Sequence, residues 1–328
     1  MNSFLATDLG GTKILFQVLT EPGDIVVEQN YASAHFSCFE QALAEFLAQE
    51  VVQNCTIVAS CVAVAGPVSD RYASVTNLPW QIDADSLARE FAIGRVMLCN
   101  DFEAVAHGIS CLNENELVTL QQGEEDKSAP RAVLGAGTGL GQALLIPQNG
   151  KWQVIATEGG HADFGPRDRI QILLLEHLIE RFGHVSYERL LSGAGLVAIY
   201  DFLRAVEQYE EDPALRQLML VEDRAAAISQ FALEAHDPLA RESLQLFIKI
   251  YGAQAGNLAL SVLPMGGLYI AGGIAAKNLA YFQHDDFLQA FRDKGKMVDL
   301  MAKIPVKLIL QPNVGLIGAC LLAQQSLL

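Results

Sequence analysis

The sequence predicts an α/β protein made of two related domains, and three observations lead there. Apolar strand-like runs alternate with amphipathic helical stretches through the first third of the chain. The pattern restarts at Arg131, where a strand again runs into a glycine turn. Laying Thr12 on Thr138 puts Gly11 on Gly137, with apolar strands on both sides of each Gly-Thr pair, as an internal duplication would. A length of 328 residues agrees with about two domains at the usual roughly 150 residues each.

Taken in order, FLATD (4–8), KILFQVLT (13–20) and IVVEQNYA (25–32) read as strands, with Glu21-Pro22-Gly23-Asp24 as a tight turn. An amphipathic helix follows over 39–52, then the strand TIVASCVAVA (56–65), a helix near 85–92 and the strand RVMLC (95–99). The second half opens with strand AVLGA, a glycine turn, strand QALLIPQ, an Asn149-Gly150 turn and strand KWQVIAT. Helices dominate between 168 and 262. GLYIAGG (267–273) and VKLIL (306–310) add strands, and the apolar helix VGLIGACLLAQQ is expected to return to the first domain. The boundaries expected are a small α/β domain over 1–110 plus 312–328 and a large one over 111–311.

Hydrophobic residues make up 51% of the chain against 18% charged, with no Pro, Ser or Gln tract, which excludes an extended disordered region. The 22 basic and 38 acidic residues give a net charge of −16 without a basic cluster, so no nucleic-acid partner is expected. Six cysteines at 38, 55, 61, 99, 111 and 320 show no zinc-ligand spacing and read as reduced, buried thiols of a cytoplasmic protein. The N-terminus has no signal-peptide pattern. Residues 250–276 carry no charge, yet Pro264 and two Gly-Gly pairs break them into a helix and a strand, so no membrane span is expected.

The two glycine turns, DLGGT (8–12) and LGAGTGLG (134–141), match neither well-known phosphate motif. A Walker A loop needs Gly-Lys-Ser/Thr, and a GxGxxG fingerprint counted from Gly135 finds Leu140 in its last place. What remains is a hairpin whose bare backbone approaches a ligand and turns N–H groups toward an anion. For one turn alone, an ordinary hairpin explains the glycines as well. For a matched pair with Asp8, Thr12 and Thr138, polyphosphate is favoured, with Asp8 placed to hold a magnesium-bound water. Gly272-Gly273 offers a third bare place, where a flat ring such as adenine can lie.

Asn100 and Asp101 stand where a strand gives way to a helix. Asn100 with Glu103 equally fits an N-terminal capping box. EGGHADFG (158–165) adds Glu158, His161 and Asp163, and SYERLLSGAGL (186–196) adds Glu188. His161 with Asp163 gives too few ligands for a metal centre. Carboxylates, an imidazole and an amide together suit a ring of sugar hydroxyls, each both donor and acceptor.

These residues carry a resemblance. From DLGGTK (8–13) through AGPV (65–68), TNLPW (76–80), NDFEAVA (100–106), LGAGTGLG, EGGHADF and ERLLSGAGL to YIAGGI (269–274), the chain resembles the bacterial glucokinases of the hexokinase/actin-like ATPase superfamily. The resemblance implies two actin-like, ribonuclease H-like α/β domains with a ligand cleft between them. It implies ATP binding at Thr7, Asp8, Leu9, Gly10, Gly11, Thr12, Gly137, Thr138, Gly139, Gly272 and Gly273, with magnesium held by Asp8 through water. Glucose binding falls to Asn100, Asp101, Glu158, His161 and Glu188, and Asp101 takes the proton of the sugar 6-hydroxyl. A homodimer is also implied. A related branch of sugar kinases and repressors carries a Cys-rich zinc loop near the sugar histidine, but no cysteine follows His161 until Cys320, so zinc is not expected. Because the first strand begins at about residue 4, a DNA-binding helix-turn-helix is not expected either.

The reading is therefore ATP-dependent phosphorylation of glucose to glucose 6-phosphate. The alternatives are a kinase for mannose, fructose or an N-acetyl sugar, and a non-catalytic sugar sensor of the same fold. Retention of Asp101 speaks against the sensor, since a pure binder has less need of a base.

Overall fold

The structure is a computed structural model that describes residues 2–21, 23–206, 210–234 and 237–327. It divides into two units: Met1–Asn113, Val154–Ala156 and Asn313–Leu328 form the first, and Glu114–Gln153 with Thr157–Pro312 form the second.

In the first unit the strands are β1 (Asn2–Leu9), β2 (Lys13–Thr20), β3 (Ile25–Ala32) and β4 (Thr56–Val64). A side sheet of β5 (Val68–Ser69), β6 (Tyr72–Ser74) and β7 (Gln81–Asp83) then precedes β8 (Val96–Asn100). The main sheet has the order β3-β2-β1-β4-β8. Its first three strands are antiparallel, while β4 runs parallel to β1 and β8 parallel to β4. Period-two alternation feeds two cores: Leu5 and Leu9 join Phe16, Phe39 and Phe46 on one face, and Phe4 and Ala6 join Cys61, Ala63 and Ala319 on the other. The second face carries small residues because the closing helix Val314–Gln325 lies there, against β1, β4 and the helix Asp101–Gly108.

In the second unit β9 (Leu117–Gln121), β10 (Arg131–Ala136), β11 (Leu140–Gln148), β12 (Lys151–Thr157), β13 (Leu268–Ala271) and β14 (Val306–Ile309) form one sheet, ordered β12-β11-β10-β13-β14-β9. With the antiparallel edge strand β9 set aside, this order repeats the first sheet strand for strand, including the antiparallel β10-β11 hairpin and the parallel β10-β13-β14 run. The duplication read from the two Gly-Thr turns is thus present in the topology.

Several elements differ from expectation. The helix expected over 39–52 stops at Leu47, and Gln49 is extended before a short helix, Glu50–Gln53. Phe39, Leu43 and Phe46 set a phase that would next bury Gln49 or Glu50, and the break resets it so that Val52 is buried instead. β5 to β7 escape the sequence reading because two- and three-residue strands are too short for an alternation signal, and the five-residue edge strand β9 escapes it too. Of the turn at 21–24, Pro22 lies outside the described residues; Gly23 N donates to Thr20 O at 2.9 Å. The uncharged stretch 250–276 divides between the helix Pro238–Val262 and β13, and among the described residues no helix is long and apolar enough to cross a membrane. All six thiols are free, but only Cys61, Cys99 and Cys320 are buried; Cys111 is exposed, since it lies in the 3₁₀ turn after the capped helix.

Candidate active site

Strand register gathers the first unit's polar residues. Leu9 pairs with Val64 and Val64 with Asn100, so the glycine turn after β1, the AGPV segment after β4 and Asn100-Asp101 after β8 all leave the carboxyl end of the parallel strands. That end is where open α/β sheets take their ligands. The turn itself is wired through its carbonyls. Gly10 N donates to Lys13 O at 2.9 Å, the buried Ser33 donates from its Oγ to Gly10 O at 3.1 Å, and Ser33 N donates to Thr12 O at 3.1 Å. Along β1, Thr7 and Leu9 point into the apolar core beside Leu5, and their backbone lies between the β2 and β4 ladders. Asp8 points to the other side, partly buried, and burial pushes its carboxyl up to about 6. A lone desolvated carboxylate suits magnesium, which is held by one or two carboxylates together with waters and phosphate oxygens.

Asn100 does cap its helix. Its Oδ1 accepts from Phe102 N at 2.9 Å and Glu103 N at 3.4 Å, while Glu103 Oε2 accepts from Asn100 N at 3.4 Å. Its Nδ2 donates to Gly66 O at 3.2 Å, so one amide hydrogen is left over by these bonds. Asp101 begins the helix, with Oδ1 accepting from Phe102 N at 2.9 Å. Capping and function are therefore compatible: the cap fixes Asn100 and thereby the backbone that presents Asp101.

In the second unit the turn 137–139 is wired the same way, Gly137 N donating to Gly139 O at 2.8 Å and Gly193 N to Gly137 O at 3.0 Å. A side chain at Gly137 or Gly273 would meet open space. Gly139 and Gly272 are bare for other reasons. A Cβ on Gly139 would lie 2.5 Å from Glu188 Oε2, and one on Gly272, whose φ is +88°, would lie 2.4 Å from Ala136 O. Leu140 N donates to Glu188 Oε2 at 2.9 Å, which ties the sugar candidate directly to the glycine turn.

His161 stands between two carboxylates: Nε2 is 3.8 Å from Glu158 Oε2 and Nδ1 is 3.8 Å from Glu188 Oε1. Side-chain exposures of 57%, 69% and 33% for His161, Glu158 and Glu188 leave all three open to a solute. Asp163 instead pairs with His184 at 2.7 Å. Among the described residues no three His, Cys, Asp or Glu side chains gather as a metal-holding group. Sequence reading missed the residues behind this cluster, Tyr187, Asn257 and Lys294. Only Asn257 carried a signal, as a polar residue inside the uncharged stretch.

Two sheets that share a five-strand order, each containing a glycine hairpin, define the actin-like, ribonuclease H-like fold class. The family model described as Glucokinase matches residues 5–326. A glucokinase from Nostoc sp. is 43% identical over 340 residues, covering 98% of this chain and 99% of the relative. The crystal structure of a glucokinase from an Antarctic psychrotroph superposes with a TM-score of 0.82 at 30% identity, covering 99% of both chains. A ROK family glucokinase from Streptomyces griseus, solved with glucose and AMPPNP, has the same fold at a TM-score of 0.68 and 22% identity, covering 98% of this chain and 99% of that one. This chain belongs to the glucokinase family.

Proposed function

We propose that the chain transfers the γ-phosphoryl group of ATP to the 6-hydroxyl of glucose. The observation that carries this reading is the register of β1, β4 and β8, which brings the Asp8 turn and the capped Asp101 to one end of one sheet. Phosphoryl transfer asks mainly for positioning and charge neutralisation. Backbone N–H groups of Gly11, Thr12, Thr138 and Gly139 hold phosphate oxygens, Gly10 and Gly137 close the two turns with their own N–H groups so that the bare backbone can approach, and the open backbone at Gly273, next to Gly272, receives the adenosine. Asp8 would hold magnesium through water, and the ion, when bound, would neutralise charge on the phosphates. No zinc is required.

Asn100, Glu158, His161 and Glu188 bind the sugar hydroxyls. Asp101 accepts the 6-hydroxyl proton as that oxygen attacks phosphorus, which raises its nucleophilicity at the moment it is needed. The small domain in this reading spans 1–110 plus 312–328 and the large one 111–311. The enzyme works in the cytoplasm as a homodimer on free glucose and ATP, with no nucleic-acid or membrane partner.

The test is ADP release across a panel of hexoses, with Asp101→Asn beside the parent. Glucose is expected to be the preferred acceptor. Asn100, which caps the helix, is untouched, and the amide oxygen of asparagine can still accept from Phe102 N, so the variant should melt like the parent while turnover falls by at least about a hundredfold, the lower end of general-base effects. Turnover within a few-fold of the parent would remove Asp101 from the chemistry and leave it as the first residue of its helix.

A further inference from the structure

Behind His161 and Glu188 the second unit holds a polar chain that the proposed chemistry does not use. Tyr187, next to Glu188, is buried with its ring edge-on to Phe164 at 5.6 Å. Its N–H donates to Ala162 O at 2.9 Å, and Asp163 bridges Ser186, so the segment after His161 and the segment before Glu188 are laced together. The Tyr187 hydroxyl accepts from Asn257 Nδ2 at 2.9 Å and from Gly165 N at 3.4 Å. Asn257 Oδ1 in turn accepts from Lys294 Nζ at 2.7 Å, and the same ammonium donates to Ala253 O at 2.8 Å. Lys294 reaches the helix Pro238–Val262 by crossing Gly256, where a Cβ would lie 2.4 Å from its Cε. Nearby, Arg167 donates to Ala290 O at 3.1 Å and Asp293 O at 3.2 Å, which anchors the far end of the His161 loop.

A lysine in this place is costly. Burial, then the Arg167 guanidinium, pull its pKa down to about 8. An apolar side chain would fill the space without desolvating a charge. What the ammonium adds is direction: together with Gln254 Oε1, which accepts from Asn257 Nδ2 at 3.2 Å, it orients the Asn257 amide so that Nδ2 faces the Tyr187 hydroxyl.

We propose that Asn257 and Lys294 are positioning residues for the sugar: through the Tyr187 hydroxyl they fix the turn carrying Glu188 and, through Ala162, the loop carrying His161. This rests on His161 and Glu188 being sugar ligands. A shift in that turn would also disturb the Leu140 N–H bond to Glu188, so the sugar side suffers first.

The experiment measures glucose affinity by calorimetry and steady-state ADP release for the parent, Tyr187→Phe, Asn257→Leu, Lys294→Met and Asn257→Asp. Each of the first three variants is expected to bind glucose about three- to tenfold more weakly, the worth of one hydrogen bond. Their KM for ATP and their kcat at saturating glucose should stay within about twofold of the parent. Asn257→Asp should recover part of the affinity lost in Asn257→Leu, because its carboxylate accepts from both Lys294 and the tyrosine hydroxyl although it loses the donation to Gln254 Oε1. Parental glucose affinity in the first three variants, or equal loss for glucose and ATP, overturns the inference. Tyr187→Phe removes a single oxygen, so parental affinity in that folded variant is decisive even if another variant does not fold. A parent that neither binds nor phosphorylates glucose overturns the functional reading and this inference together, whereas an active parent with unaffected variants overturns the inference alone.

Discussion

The turn at 10–12 and the turn at 137–139 have the same backbone job and different side-chain company. Each joins an antiparallel pair of neighbouring strands, β1-β2 and β10-β11, and each has a carbonyl taken up from outside, by Ser33 N in one case and Gly193 N in the other. With Thr12 laid on Thr138, Asp8 corresponds to Leu134, which is fully buried. The first turn therefore has a carboxylate on its own strand, and the second does not. The second turn instead has Glu188, brought by a distant segment, against Gly139 and Leu140 N. The hydrogen-bonded turn recurs in both copies, while the side chains around it differ: an aspartate on the strand itself in one, a glutamate from a distant segment in the other.

That contrast breaks first at Asp8. If the first turn is specialised for charge, Asp8→Asn should cut turnover by about 10²- to 10³-fold, as loss of one group that neutralises transition-state charge does, while glucose affinity stays parental. Calorimetry and ADP release decide. A loss of glucose binding equal to the loss of turnover would mean that Asp8 supports the whole site rather than its phosphate side.

A pair of substitutions in the second turn sharpens the comparison at smaller amplitude. In Gly139→Ala the new Cβ would lie 2.5 Å from Glu188 Oε2, so the carboxylate must swing away from Leu140 N. Losing a hydrogen bond to a charged group should weaken glucose binding by about tenfold or more. Gly137→Ala meets open space, and should leave melting and glucose binding unchanged while raising KM for ATP. Equal effects of the two on glucose would show that the turn acts as one undivided element.

The smallest effect concerns what stands behind Glu188. Lys294 has a folded-state pKa of about 8 against 10.5 for an ordinary lysine, so between those values the folded chain has released a proton that the unfolded chain keeps. Stability contributed by this group therefore rises with pH across that window, and the penalty of the half-buried ammonium is complete only below about 8. Lys294→Met should melt no lower than the parent at pH 7, and any gain should shrink by pH 10, with shifts of only a few degrees in Tm. Paired melting curves at the two pH values check this; a variant that melts well below the parent at pH 7 would make Lys294 a structural residue.

Much of the candidate site was legible because its signals are local. The spacing of Asn100 and Glu103 announced a cap, and the structure has that cap. The Gly-Thr pairs announced hairpins, and both are present in matching topological places. The illegible parts join segments far apart in the chain. Leu140 with Glu188, Tyr187 with Asn257 and Asn257 with Lys294 leave no period or motif, because each partner is an ordinary residue for its own element. The helix break at Gln49 was missed for the opposite reason: a local amphipathic pattern was extended past the point where burying Val52 required a change of phase.

By itself, then, the sequence determined the α/β class, the duplicated hairpins, the residue types of the candidate site and the family to which the chain belongs. These depend on backbone conformation and alternation, which are set within a few residues along the chain. Tertiary structure decided which glycines face open space and which face a neighbouring atom, where Asp8 points relative to Thr7, and that Glu188 rests on a hairpin amide almost fifty residues away in sequence. Those outcomes depend on strand register and on close approach between distant segments, and a carboxylate gains its hydrogen bonds and loses its water only once the chain around it has packed.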